Sequence, residues 1–516
     1  MKFQASTDNQ TLLVQESLLS TANGYIGIRG NFEEGYGMGD ETIRGTYINA
    51  FHEVVDLAHG EPVCGFPQTA QKMLNVVDGQ TIRIKVDGDL FSLDQGRILE
   101  VDRELDLEKG VAVRSVRWRS PKGHEMEFLI HRMTSFVQKE LFLIDYSIRS
   151  VDDKVEIQIE STLDGDVQNH PGASSGQAKL LHVREVRVED KKAVIRADVE
   201  RAGLSMAAAM AHDVPMSYRV GEQAVEGIHR IVLGQGESFR FSKYVAYADS
   251  LRHPEPVAAA LEILEEALSR GSGHWHQAQE AYLADFWRHA AVRIDGNPDA
   301  QEAVAFSTYQ LLSSAGKDPH SSLPAKGLTG EGNGGQYSWD TEIFALPVFT
   351  LVKPDVARNL LAFRHTGLDA AKEEARLLGH AKGAKIPWRT ISGSECSTCF
   401  PAGQAQYHIN ADVAYAHIQH HLHQGDVEFL LQTGYEVVLE TARLWMETGH
   451  FGASDGKFRI DAVTGPDEYT ALVDNNYFTN AMAQYHLHWT AKLAGILREA
   501  DGERWEIILS CCTTIP

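Results

Sequence analysis

Near Pro254 the chain changes its hydrophobic rhythm, and that change restricts the fold more than any other feature. Before it, apolar residues alternate: Thr81 to Val86 has a period of two, turns at Asp87-Gly88 and returns through Asp89-Leu90-Phe91, a hairpin signature. Comparable alternation recurs at Val111 to Trp118, Glu127 to Ile130, Val155 to Ile159 and Val183 to Val188, with no long helical pattern between. Closely spaced strands of this kind predict an antiparallel sandwich rather than a parallel α/β sheet. Beyond Pro254 the period becomes helical. Val257 to Arg270 is amphipathic and closed by Gly271-Ser272-Gly273, and Trp275 to Ala290 forms a second helix. Further helices are predicted at Asp299–Ala315, Pro354–Thr366, Asp369–Gly379, Ala411–Gln424, Val427–Thr448 and Asp474–Ala500. The expectation is a multidomain α and β chain: an N-terminal antiparallel β-sandwich over 1–253, a helical linker over 254–296 and a helical toroid over 297–516.

At 516 residues the chain exceeds one ordinary core, which agrees with several domains. A net charge of −23 argues against nucleic acid, since phosphate binding needs a basic footprint. Met1-Lys2-Phe3-Gln4 runs straight into polar sequence without the apolar core of a signal peptide, and no apolar run is long enough to cross a bilayer. Cys64, Cys396, Cys399, Cys511 and Cys512 are too few for a disulfide framework, so the expected compartment is the cytoplasm. Cys396 and Cys399 have zinc-like spacing but lack a second pair, and unpaired thiols are the default reading. His417, His420, His421 and His423 share a helix with no accompanying carboxylate motif, so a packed or solvated face is expected there and no metal.

Three long loops, 316–341, 380–410 and 449–473, interrupt the helical half, and loops of that length in a compact domain usually carry function. Trp339, Asp340, Trp388, Glu395 and Glu468 fall in them or at their edges. The third holds Thr464-Gly465-Pro466-Asp467-Glu468-Tyr469, followed by Asp474-Asn475-Asn476. A stiff turn, paired carboxylates, an aromatic and amides within so few residues suit carbohydrate chemistry. An acid protonates a glycosidic oxygen, an aromatic stacks on a sugar and amides read hydroxyls. The plainer reading is a helix-start loop with Asp474 as cap and Asp467 exposed.

Further segments stand beside that run. They are Pro324-Ala325-Lys326-Gly327-Leu328-Thr329-Gly330-Glu331-Gly332-Asn333 leading into Ser338-Trp339-Asp340-Thr341-Glu342, then Gly383-Ala384-Lys385-Ile386-Pro387-Trp388-Arg389-Thr390-Ile391, then Gln404-Ala405-Gln406-Tyr407-His408-Ile409-Asn410. With Asn23-Gly24-Tyr25-Ile26-Gly27-Ile28-Arg29-Gly30 at the start, the set closely resembles glycoside hydrolase family 65, the inverting phosphorylases of maltose, trehalose, kojibiose and nigerose together with a few hydrolases. The resemblance implies a β-sandwich, a helical linker and an (α/α)₆ barrel, of which this chain holds a part. It implies Glu468 as general acid, Trp339 and Asp340 around the non-reducing glucose, and Trp388, Arg389, Glu395 and His408 on the substrate-binding loops. Matched by position, it implies a disaccharide and inorganic phosphate as substrates, no cofactor, no metal, and allows a homodimer. Pro387-Trp388-Arg389-Thr390-Ile391 looks more like the members acting on trehalose or nigerose than the maltose enzymes.

Family members continue for a couple of hundred residues beyond the length seen here, and Trp505 to Pro516 reads as an interrupted ending, so the isolated chain is expected to be poorly soluble or inactive. The residues that separate phosphorolysis from hydrolysis lie in that further stretch. Hydrolysis by the same acid, and a sugar-binding remnant without chemistry, are the alternative expectations.

Overall fold

A computed structural model describes residues 2–4, 11–37, 40–57, 65–170, 179–397 and 401–513. By contact the chain divides into two compact units. The first comprises Met1–Glu53, Met73–Ser314 and Lys326–Gly334, and the second Val54–Lys72, Ala315–Ala325 and Gly335–Pro516.

The first unit is the β half. Its largest sheet has nine strands, ordered Lys2–Gln4, Arg97–Asp106, Val111–Arg119, Glu125–Thr134, Leu141–Ser150, Ser238–Asp249, Ser205–His212, Lys192–Asp198 and His182–Glu189. Every neighbouring pair in it is antiparallel. A five-stranded sheet centres on Val155–Asp164, which pairs with Ala224–Leu233 on one side and Ile82–Val86 on the other. The two sheets share one core, with Trp118, Phe128 and Tyr146 from the first meeting Ile84, Ile157 and Val225 from the second. Alternation is what permits this, because it turns one face of each strand inward and leaves the other polar. The hairpin read at Asp87-Gly88 is present, with φ of 48° and 89°, the left-handed pair that a two-residue connection requires.

The helices read as a linker, observed at Pro256–Arg270 and Ser272–Ala290, do more than connect. Ala260, Leu264, Ala267 and Trp275 pack with Leu143, Ala207 and Tyr244 on the outer face of the large sheet. That face of the sheet is therefore covered by apolar helix surface rather than water.

The second unit is helical. Its main helices are Leu346–Val352, Pro354–Thr366, Leu368–Leu377, His408–Gln424, Tyr435–Thr448, Tyr477–Ala500 and Gly502–Thr513. Pro354 at the first helical position and Gly367 after the last one delimit Pro354–Thr366 at the residues expected from sequence. Val427–Thr448, expected as one helix, is interrupted by a π-turn at Leu430–Gly434. Tyr477–Ala500 is capped by Asn476, whose side chain accepts from the Thr479 N–H, and not by Asp474. Asp474 instead accepts from the Ala462 N–H. The ending that looked irregular contains helix Gly502–Thr513. No helix among the described residues is long and apolar enough to cross a membrane.

Candidate active site

The three polar loops of the second unit are tied to one another by specific contacts. Tyr337 and Thr390 exchange backbone hydrogen bonds of 2.8 and 3.2 Å, joining the Trp339 segment to the Trp388 segment. The Thr464 N–H donates to the Ala405 carbonyl at 2.9 Å, joining the Gly-Pro-Asp-Glu-Tyr run to the segment before His408. Gly403 lies so close to the Trp388 indole that a Cβ there would sit 2.5 Å from the ring, so only glycine permits this approach.

Trp339 and Trp388 belong to one apolar cluster with Leu368, Ile386, Ile409 and Val437, and both are largely buried. Trp339 is held from beneath by the His408 ring, edge-on at 5.1 Å. His408 is fully buried, and its Nδ1 lies 2.6 Å from Asp412 Oδ2 one helical turn on. Burial pushes the Asp412 carboxyl above its usual range, against the pull of His408. His408, expected among the substrate-binding residues, is buried with its ring against Trp339.

Asp340 is exposed at the start of a π-turn over Thr341–Ala345, and the Ser338 hydroxyl donates to its carboxylate. The turn is anchored by Glu342, whose two oxygens face Arg364 Nε and Nη2 at 2.7 and 2.8 Å, with both side chains buried. Arg364 Nη2 also reaches the Ser338 carbonyl at 3.4 Å, so one guanidinium fixes both ends of the segment that carries Trp339 and Asp340.

Glu395 stands at the centre of its loop. Its carboxylate accepts from the backbone N–H groups of Trp388, Arg389, Cys396 and Ser397 at 2.6 to 3.2 Å, which folds the loop around it. A sugar hydroxyl would have to compete with four amides for that carboxylate. The Arg389 guanidinium lies over the Trp388 ring, 4.4 Å from its centre. Gln71, far away in sequence, accepts from the N–H groups of Ile391 and Ser392 at 2.6 and 2.9 Å and completes the loop. Nothing in the sequence pattern singles out Gln71. Beneath the loop, burial raises the Glu374 carboxyl to about 7, an effect opposed by Lys385 and reinforced by Glu395.

Glu468 is exposed, as are Asp467 and Tyr469, the last at 93%. Asp467 and Glu468 both adopt left-handed backbone, with φ of 62° and 56°, which costs a non-glycine residue roughly 1–2 kcal/mol. Glu468 Oε1 accepts from Gln406 Nε2 at 2.7 Å, and Gln406 is fully buried. Gln406 stands two residues before His408, whose ring packs on Trp339.

Among the four helical histidines, His417 and His420 are buried against Phe429, at 6.3 and 5.6 Å between rings. Burial pushes them down to about 3 and about 4, so both rings are neutral over the physiological range. Cys396 is buried with its thiol donating to the Arg389 carbonyl; Cys399 and Cys64 lie outside the described residues.

With that geometry in place, comparison with known proteins is informative. Residues 4–286 match the N-terminal domain of glycosyl hydrolase family 65, and residues 305–509 match its central catalytic domain. The chain belongs to glycosyl hydrolase family 65. It is 44% identical over 495 residues to the α,α-trehalose phosphorylase of Geobacillus stearothermophilus, covering 94% of this chain and 64% of that protein. To the α,α-trehalose phosphorylase of Thermoanaerobacter brockii it is 39% identical over 511 residues, covering 96% and 66%. The chain thus spans just under two thirds of the length of these curated relatives. A solved structure described as a putative kojibiose phosphorylase from human microbiome superimposes with a TM-score of 0.91 at 23% identity, covering 100% of this chain and 67% of the other. That likeness establishes the family fold, with antiparallel β-sheets followed by a helical part.

Proposed function

We propose that this family 65 protein takes part in inverting phosphorolysis of an α-glucosyl disaccharide, releasing β-glucose 1-phosphate and a free sugar. The observation that carries the reading is that one stretch, Gln406 to His408, meets both Glu468, by the Gln406 hydrogen bond, and Trp339, by the His408 ring, within one unit. In the proposed reaction the protonated Glu468 carboxyl gives its proton to the bridging oxygen as the bond from that oxygen to C1 breaks. A phosphate oxygen forms the new bond to C1 from the opposite face. One protein carboxylate suffices, because phosphate is itself the nucleophile and replaces the second carboxylate of an inverting hydrolase.

Trp339 offers an indole face and Asp340 an exposed carboxylate for paired hydroxyls of the non-reducing glucose. Arg389, half-buried over Trp388, supplies donors on the neighbouring loop, while Glu395 and His408 act by shaping the loop and supporting Trp339. Glu468 is exposed, and a sugar seated over it would exclude water from the carboxyl. Similarity to two trehalose phosphorylases makes α,α-trehalose the first substrate to test. No cofactor or metal enters this scheme, and a cytoplasmic protein that can form homodimers without nucleic acid is the corresponding reading of its setting. The test is release of glucose 1-phosphate across a disaccharide panel with and without inorganic phosphate, using a version in which the barrel is completed to the length of the relatives. Phosphate-dependent release from at least one disaccharide is expected; release of free glucose alone refutes the proposal.

A further inference from the structure

We propose that Gln406 is a positioning residue for Glu468, holding the carboxyl side chain in one place through both of its protonation states; this rests on the reading of Glu468 as proton donor. A proton donor must be held both before and after transfer, and few neighbours can do so. A lysine or arginine serves only the carboxylate, and a carbonyl serves only the carboxylic acid. A primary amide serves both, because its NH₂ donates to a carboxylate and its oxygen accepts from a carboxyl O–H, the charge-assisted bond to the carboxylate being the stronger of the two.

Gln406 meets that requirement by placement. Its amide nitrogen is 2.7 Å from Glu468 Oε1, while its own Oε1 is buried and has no hydrogen-bond partner among the described residues. Turning the amide over presents that oxygen to a protonated Glu468 without breaking any other side-chain hydrogen bond of Gln406. The residue beneath is rigid: Gln406 is fully buried at the start of helix His408–Gln424, with its backbone N–H bonded to the Gly403 carbonyl. The residue above is not self-supporting, since Glu468 is exposed on left-handed backbone next to left-handed Asp467. The supporting segment 401–407 carries no charged side chain, so Asp467 and Asp474 of the same loop are the other charges nearby in sequence.

The experiment is a ¹³C-carboxyl NMR titration of the full chain labelled at glutamate, with Glu468→Gln identifying the resonance, applied to wild type, Gln406→Leu and Gln406→Glu. Leucine removes the amide donor, so Glu468 is expected to titrate about half a pH unit or more higher. Glutamate places a second carboxylate at hydrogen-bond distance, and the pair is expected to titrate in two steps separated by about one unit or more. In phosphorolysis by the version completed to the length of the relatives, Gln406→Leu is expected to lower kcat about tenfold with KM changed less than about twofold. Should leucine prevent folding, the nearly isosteric glutamate variant carries the test. Titration of Glu468 within about 0.2 unit of wild type in the folded variants overturns the proposal. A shifted titration with full turnover by Glu468→Gln leaves the contact standing and removes the proton-donor reading; an unshifted titration with an inactive Glu468→Gln does the reverse.

Discussion

Glu342→Gln is expected to be among the most damaging conservative changes in the second unit. Glu342 and Arg364 form a two-pronged ion pair with 0% and 2% of their side chains exposed. Glutamine keeps the shape but removes the charge, and its NH₂ then faces the guanidinium donor to donor. Leaving one buried charge uncompensated costs about 3–5 kcal/mol. For a domain of this size that corresponds to a fall in melting temperature on the order of 10 °C. The double variant Glu342→Leu with Arg364→Met removes both charges and both desolvation penalties, so it is expected to lose less than the single variant. Thermal and urea unfolding followed by tryptophan fluorescence read the change directly, because Trp339 and Trp388 share a core cluster in this unit. Calorimetric titration with glucose adds a functional readout, since Arg364 also bonds the Ser338 carbonyl beside Trp339. A single variant within about 1 kcal/mol of wild type, or a double variant as damaged as the two single changes added together, would refute this reasoning.

Other substitutions probe the loops. Glu395→Ala removes the acceptor of four backbone N–H groups and is expected to loosen residues 388–397, seen as faster amide exchange there and a loss of about 2–4 kcal/mol in denaturant unfolding. Gly403→Ala drives a methyl into the Trp388 ring and is expected to cost about 1–3 kcal/mol, measured by the same unfolding curve. Glu374, raised by burial to about 7, keeps its proton in the folded state across a range where the unfolded chain has lost it. Its contribution to stability is therefore complete below about pH 4.5 and lost as pH rises to about 7, an effect on the order of 3 kcal/mol. Glu374→Gln should remove that loss, so its stability relative to wild type should climb from pH 4.5 to 7 and level off above.

The sequence made legible those features that depend on local pattern. The switch from strand to helix near Pro254, the Asp87-Gly88 hairpin and the ends of Pro354–Thr366 all follow from side-chain period and turn chemistry. Helix Leu346–Val352 was hidden because it is only seven residues long and enters through a π-turn. The π-turn at Leu430–Gly434 was hidden for a related reason, since an extra residue in a turn barely alters the apolar period. At the candidate site the motifs suggest Trp339, Asp340, Trp388, Arg389 and Glu468, but the contacts that support them were invisible. Gln71, Gln406 and the Arg364–Glu342 pair act through contacts across loops or distant segments, and no local spacing encodes such a contact. Glu395 and His408 stand in the motifs, yet their burial and partners could be seen only in three dimensions.

The account rests on the carboxyl of Glu468 delivering a proton to a sugar held beside Trp339. Its most direct measurement pairs phosphate-dependent glucose 1-phosphate release with calorimetric disaccharide binding, for wild type and Glu468→Gln in the version completed to the length of the relatives. Loss of turnover by about a thousandfold with binding changed less than about tenfold is the predicted result. Undiminished turnover in Glu468→Gln would contradict it.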